Sequence, residues 1–290
     1  NITVVPYLQF EWAKQIGRSM NYARSIATDS SDNVLLGGYF RGNIDIDGDG
    51  KNDLTSNGRN DGYVAKFDSN GNFLWAKNIG GSSDDYAASI TTDSSDYVLV
   101  SGHFEDSIDI DGDGNNDLTS NGYNDCYVAK FNSNGNLLWA KKISGRINEY
   151  ATSITTDSSE NVFVGGHFFG QVDINGDGSY DLTSNGYFDA YIAKFDTYGN
   201  FVWAKSFGGS SGDYASSITT DSNGNLLVGS YFHNQIDIDG DGSYDLNSNG
   251  YVDGYVAKFD SNGNFVWAKS IGGSNFDRAY SITTDSSGNV

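Results

Sequence analysis

Four stretches of the chain carry carboxylates at a spacing suited to a hard cation. They are IDIDGDGKNDL at 44–54, IDIDGDGNNDL at 108–118, VDINGDGSYDL at 172–182 and IDIDGDGSYDL at 236–246. Numbered from Asp45, the first loop places carboxylates at positions 1, 3, 5 and 9 (Asp45, Asp47, Asp49, Asp53), with Gly50 at position 6. Calcium takes about six to eight oxygen ligands from carboxylates, backbone carbonyls and water. The alternation aims side chains at one centre, and the glycine permits the sharp turn. Position 7 varies (Lys51, Asn115, Ser179, Ser243), as suits a residue that contributes its backbone carbonyl. The equivalent ligands are Asp109, Asp111, Asp113 and Asp117 in the second loop, and Asp173, Asn175, Asp177 and Asp181 in the third. The fourth has Asp237, Asp239, Asp241 and Asp245. We expect one Ca2+ per loop, four in the chain. Magnesium suits the pattern less, because it prefers fewer protein ligands and more water.

The loops are not complete EF-hands. Position 12, a bidentate glutamate there, is Ser56, Ser120, Ser184 or Ser248, and no flanking helices are predicted. The ninth-position aspartate must do more, helped by Asp61, Asp125, Asp189 and Asp253 after each loop. The plainer role of those four is to fix the turn into the next strand. A single acidic loop would pass for a solvated turn. Four copies, each crowding several carboxylates, call for a counter-ion against mutual repulsion.

Other constellations carry less chemistry. His103 and His167 stand where other copies have Tyr39 and Tyr231, so they read as aromatic substitutes, and His233 lies two residues further on. No phosphate loop is present. Asp84-Asp85 could serve glycoside hydrolysis, but the pair recurs imperfectly (Asn148-Glu149, Gly212-Asp213), which fits a solvated turn. Lys14, Lys77, Lys141, Lys205 and Lys269, and likewise Lys66, Lys130, Lys194 and Lys258, read as solvent-facing charges that discourage strand pairing. The tryptophans are expected between adjacent units, with an aromatic sugar platform as the functional alternative.

The net charge of −21 disfavours nucleic acid and anionic membrane surfaces. Much of it sits in the four loops, as a set of cation sites would require. Cys126 is the one cysteine, so no intrachain disulfide forms; its counterparts Gly62, Ala190 and Gly254 mark it as a small packed residue. No apolar run approaches the ~18 residues of a membrane span. The chain opens on Asn1 without a methionine, which fits removal of a signal peptide, or a fragment. The Asn1-Ile2-Thr3 sequon is too weak a signal to use.

The elements that position these loops follow from the repeat. Trp12, Trp75, Trp139, Trp203 and Trp267 lie 63, 64, 64 and 64 residues apart, each in a Trp-Ala-Lys triplet. Within one unit, AASITTD (87–93) is β-branched and YVLVSGHF (97–104) is a nearly continuous apolar run. YVAKF (127–131) and LLWAKKI (137–143) then flank an Asn-Gly turn, the strongest short-range hairpin signal. Each unit is thus four short strands, a to d, and repeated four-stranded units predict a β-propeller. Known blade repeats run to about 40–50 residues, and the stretch 109–125 supplies the excess as an insertion between b and c. A β-solenoid is the rival, although it lacks the tight hairpins. The blades are expected at about 22–78, 86–143, 150–207 and 214–271. Residues 1–20 and 279–290 supply parts of a closing blade, and the natural chain is expected to continue past Val290.

The blade resembles a known family. GGSSDDYAASITTDSSDYVLVSGHF (80–104) and YVAKFDSNGNFLWAKNIGG (63–81) look like the SBBP repeat, a β-propeller repeat of secreted and surface proteins. The resemblance spans essentially the whole chain and implies the fold and an extracellular or cell-surface setting, but brings no catalytic residues. The acidic b–c loop departs from that pattern and resembles the calcium loops of integrin-type propellers. The expectation is an all-β, calcium-binding propeller acting in binding, adhesion or structure, without enzymatic activity. A polysaccharide-acting hydrolase or lyase with a calcium-supported site is the alternative. The b–c and d–a connections should share one face. A glycan or partner surface protein would engage it near Asp45, Asp109, Asp173 and Asp237, touching Arg59, Tyr123, Tyr187 and Tyr251.

Overall fold

The structure is a computed structural model that describes residues 12–17, 20–285 and 287–290. The Asn1 sequon and most of the expected N-terminal part of the closing blade lie outside the described residues. Those described form strands and turns and no helix.

The first unit contains β1 (Asn21–Thr28), β2 (Val34–Phe40), the separate two-stranded loop hairpin of β3 (Asn43–Ile44) and β4 (Leu54–Thr55), then β5 (Asp61–Phe67) and β6 (Phe73–Gly81). The second repeats it with β7 (Asp85–Thr92), β8 (Val98–Phe104), β9 (Ser107–Asp109), β10 (Leu118–Thr119), β11 (Asp125–Phe131) and β12 (Leu137–Gly145). The third has β13 (Glu149–Thr156), β14 (Val162–Phe168), β15 (Gln171–Asp173), β16 (Leu182–Thr183), β17 (Asp189–Phe195) and β18 (Phe201–Phe207). The fourth has β19 (Ser217–Thr220), β20 (Leu226–Ile236), β21 (Leu246–Phe259) and β22 (Phe265–Ile271). Every long strand pairs antiparallel with its neighbour; in the first unit the order is β1-β2-β5-β6, and the β9-β10 hairpin of the next unit extends that sheet from β6. The architecture is all-β and propeller-like.

Local chemistry sets the turns. In the turn between β5 and β6, the Asp68 carboxylate accepts the N–H groups of Asn70 and Asn72 at 2.9 and 2.8 Å. Gly71 takes φ 79°, the left-handed region that only glycine enters freely. The strand patterns explain the stacking. Strand β5 is buried along its whole length, as is β11, so both faces of these sheets meet apolar neighbours. The core accordingly lies between successive sheets. Leu99, Val128 and Ile143 of the second pack with Ile154, Val164 and Phe195 of the third. Phe163 and Ile192 of the third pack with Val228 and Phe259 of the fourth.

Side chains stitch the sheets at constant offsets. Ser25 Oγ accepts the Ile90 N–H at 3.1 Å, and Ser89, Ser153 and Ser217 do the same for Ile154, Ile218 and Ile282. The indole N–H of Trp75 donates to the Ser133 carbonyl at 3.1 Å, with its ring over Gly135 of the next sheet. Trp12, Trp139 and Trp203 repeat the contact, as expected of tryptophans between units.

The strand-c lysines were expected in solvent, but Lys66, Lys130 and Lys194 are buried and Lys258 is half-buried. Lys66, Lys130, Lys194 and Lys258 pair with Asp29, Asp93, Asp157 and Asp221 at 2.7, 2.7, 3.5 and 2.8 Å. In the first three units strand c has no solvent face, so an ammonium there must find a carboxylate. Burial works upward on Asp221, yet Lys258 and Asn225 hold it down at about 2.

Candidate metal centre and binding face

The first three acidic loops are closed at their base by the short hairpin and by the serine at position 12, and the fourth by the continued pairing of β20 with β21 through Gln235-Asn247 and Ile236-Leu246. Ser56 N–H donates to the Gly42 carbonyl at 2.7 Å, and Gly42 N–H returns to Ser56 Oγ at 2.9 Å. Inside, carboxylates replace the missing backbone partners. Asp45 accepts the N–H groups of Gly48 and Gly50 at 2.7 and 3.0 Å, and Asp53 Oδ2 accepts those of Ile46 and Asp47 at 2.7 and 3.1 Å. The loop therefore holds its curvature through its own aspartates.

This folding brings positions 1, 3 and 9 together. Oxygens of Asp45, Asp47 and Asp53 lie within 4.8 Å of one another, as do those of Asp109, Asp111 and Asp117, and of Asp237, Asp239 and Asp245. Burial and the neighbouring charges of Asp111 and Asp109 push the Asp117 carboxyl upward. The position-5 carboxylates Asp49, Asp113 and Asp241 stand outside these triads. Each caps its own turn, accepting the position-7 N–H of Lys51, Asn115 or Ser243 at 2.7 Å; Asp177 does the same for Ser179. In the third loop Asn175 interrupts the triad. Its amide donates to Asp177 and Asp181, both at 3.3 Å, alongside Asp173 at position 1.

Asp61, Asp125, Asp189 and Asp253 take the plainer role. Asp61 accepts the N–H groups of Asn57 and Gly58 at 2.8 and 3.1 Å and the Asn78 amide at 2.8 Å, fixing the turn into β5.

The loops also join sheet to sheet. Gly80 and Gly81 of β6 pair with Asp109 and Ile108 of the second loop, and Ser144 and Gly145 of β12 pair with Asp173 and Val172 of the third. Gly208 bridges Asp237, and Gly17 N–H donates to the Asp45 carbonyl at 2.9 Å. Every acidic loop thus lies against the strand-d segment of the preceding unit.

The sequence reading of the Asp84-Asp85 pairs as solvated is corrected. The second acid recurs as Asp85, Glu149, Asp213 and Asp277, and the first three are fully buried. Asp85 accepts the Gly81 N–H at 2.6 Å, and burial with the nearby Asp61 charge lifts its carboxyl to about 7. Asp213 reaches about 7 and its neighbour Asp189 about 6, chiefly through burial. Glu149 beside Asp125 is raised as well, by burial and by that like charge. A repeated acid four residues beyond a strand-d Gly-Gly or Ser-Gly was the available signal.

The connections at the loop end share one face. Asp85 N–H donates to the Asn60 carbonyl at 2.8 Å, and Ser83 Oγ donates to Asp106 at 2.7 Å. Tyr123, Tyr187 and Tyr251 stand exposed there, with Arg59 3.5 Å from Asp84.

Nearer the inner strands runs a train of aromatic rings that the sequence reading missed. Tyr22 stacks on Tyr39, Tyr86 on His103 and Tyr150 on His167, with centroids at 4.7, 4.6 and 4.9 Å; Tyr214 tilts over Tyr231 at 4.7 Å. Between sheets, Tyr39 meets Tyr86, His103 meets Tyr150, and His167 meets Tyr214, edge-on at 4.8–5.0 Å. The histidines are indeed aromatic substitutes. The signal was a ring beginning each strand a and another ending each strand b.

Residues 202–231 match the family model described as a beta-propeller repeat, SBBP. An uncharacterized WD repeat-containing protein of Acanthamoeba polyphaga mimivirus is 26% identical over 222 residues, covering 66% of this chain and 16% of that protein. The regulatory protein FlaEY of Caulobacter vibrioides is 26% identical over 202 residues, covering 66% of this chain and 20% of its own. The chain thus spans at most a fifth of the length of these curated relatives. Among solved structures, a protein of unknown function from Bacteroides caccae aligns over 90% of this chain and 87% of its own, with 12% identity and a TM-score of 0.34. Sqt1 from Chaetomium thermophilum aligns over 93% and 76%, with 12% identity and a TM-score of 0.30. Fold and relatives together point to a repeat-built binding or structural module.

Proposed function

We propose that the chain is a calcium-stabilised β-propeller segment of 64-residue blades, secreted or displayed at a cell surface, that binds a glycan or a partner protein. The convergence of three carboxylates within 4.8 Å in three separate loops carries this reading. Three like charges so close repel, and a divalent cation relieves the repulsion while replacing water with fixed oxygens. Calcium would bind four loops, most weakly the third, where Asn175 offers only a neutral oxygen. Because each loop pairs with the preceding sheet, the metal would stabilise the junction between blades as well as the loop. Loops on a rigid scaffold are where binding usually resides, so the partner would engage the loop end. Near-identical blades would offer several weak sites whose joint use raises avidity.

Excess chelator should lower the melting temperature, and calcium should restore it, because a ligand of the native state stabilises by mass action. Sites of this kind have dissociation constants on the order of 10⁻⁴–10⁻³ M, so the titration must reach millimolar calcium. A melting curve identical in chelator and in millimolar calcium rejects the metal assignment.

A further inference from the structure

We propose that the recess under the aromatic train is a binding site for a neutral oligosaccharide. This deepens the binding-module reading above and rests on it. The recess has a volume of ≈ 470 Å³, within the range of ~300–1,000 Å³ typical of ligand pockets. Tyr86, His103, Tyr150 and His167 line it, with Ala87 and Ala151 forming an apolar patch. A second hollow of ≈ 500 Å³ shares Tyr86, His103 and Tyr150 and carries Asp84, Glu105 and Asn148. The two are therefore contiguous, giving room for more than one sugar ring.

The chemistry of the walls selects the ligand. Ring faces are already used, because neighbouring centroids stand 4.6–5.0 Å apart along the second and third sheets. No slot remains for a flat aromatic ligand to slide between them. The free edges offer phenol hydroxyls and imidazole nitrogens. In both His103 and His167, Nδ1 is buried without a partner. An unpaired buried N–H costs more than an unpaired lone pair, so the proton resides on Nε2, the nitrogen left with access to the recess. Burial holds both rings neutral, near 4 and near 3. They are thus uncharged donors across the physiological range.

Charge excludes the ionic alternatives. Asp84 and Glu105 on the rim, and the net charge of −21, repel an anion. Within the recess itself a cation would meet no carboxylate and would face the Arg24 guanidinium, which lies 5.3 Å from the Tyr39 ring centroid. What remains is a neutral polyol with apolar C–H faces. Its hydroxyls accept from Nε2–H and phenol groups and donate to the rim carboxylates, and its C–H faces cover the alanines.

The test uses the whole chain in calcium on an array of neutral gluco-, galacto- and manno-oligosaccharides beside sialylated and sulfated glycans, with calorimetry on the hits. The variant H103F/H167F keeps both rings and removes both donors. Binding of neutral oligosaccharides by the wild type is expected, weakened at least tenfold in the variant, at an unchanged melting temperature. If that variant misfolds, H103Y/H167Y installs the residue the chain already carries at Tyr39 and Tyr231 and fills the recess, with the same expected loss. Undiminished binding in a folded variant overturns the placement and leaves the module reading standing. A folded wild type that binds only acidic glycans overturns the ligand class and leaves the binding reading standing, one that binds no glycan overturns the proposal, and the chelation experiment judges the calcium assignment separately.

Discussion

The buried acids between sheets make stability fall as pH rises, and Asp213 is the place to measure it. Its carboxylate is fully buried, accepts the N–H groups of Gly209 and His233 at 2.7 and 3.3 Å, and has the Asp189 carboxylate nearby. Burial, reinforced by Asp189, raises it from 3.8 to about 7 against the pull of those two donors. The folded state therefore binds a proton that the unfolded chain has released. The stability this proton contributes is fully present below pH 3.8 and is lost as pH rises to about 7. At 1.36 kcal/mol per pH unit, the loss is about 4 kcal/mol. Asp213→Asn mimics the protonated form at every pH. Urea unfolding at fixed, saturating calcium from pH 4 to pH 8 should show the variant gaining on the wild type by about 4 kcal/mol across that window. Using the difference between the proteins cancels the titration of the loop carboxylates. Parallel stability curves for the two proteins would show that Asp213 is ionised in the native state, and the argument from burial would fail.

Further outcomes follow from single contacts. Lys130→Met should cost about 3–5 kcal/mol in chemical denaturation by stranding the buried Asp93 carboxylate. Adding Asp93→Leu should recover most of that loss, and an additive double mutant would argue against a coupled pair. Asn175→Asp completes a third-loop triad with Asp173 and Asp181, so calorimetry should find the weakest calcium site strengthened; an unaltered isotherm counts against metal binding there. Gly135→Ala should destabilise by roughly 1–3 kcal/mol, since the residue holds φ 79° and a Cβ would sit 3.0 Å from the Trp75 ring. A neutral thermal shift would contradict the inter-sheet role of Trp75.

The four-strand unit, its turns and the acidic loops are local matters, and the sequence alone determined them. Asn-Gly and Asp-rich turns impose backbone angles within a few residues, and the alternation of Asp45 and Asp47 is a property of one loop. Strands β7 (Asp85–Thr92), β8 (Val98–Phe104) and β11 (Asp125–Phe131) fall where AASITTD, YVLVSGHF and YVAKF foretold them. What tertiary structure decided is which faces are buried and which distant residues meet. A strand covered on both sides loses its period-two signature, so YVAKF could not reveal that Lys130 points at Asp93 rather than at water. The constant separation of that Asp and Lys in every unit was visible, but its meaning depended on sheets stacking face to face. The same stacking dried Asp85 and Asp213, whose neighbours in sequence are polar. It also closed Tyr86, His103, Tyr150 and His167 into one wall, although they come from two separate sheets. Burial and long-range charge depend on the positions of all the sheets at once, and no single repeat contains that information.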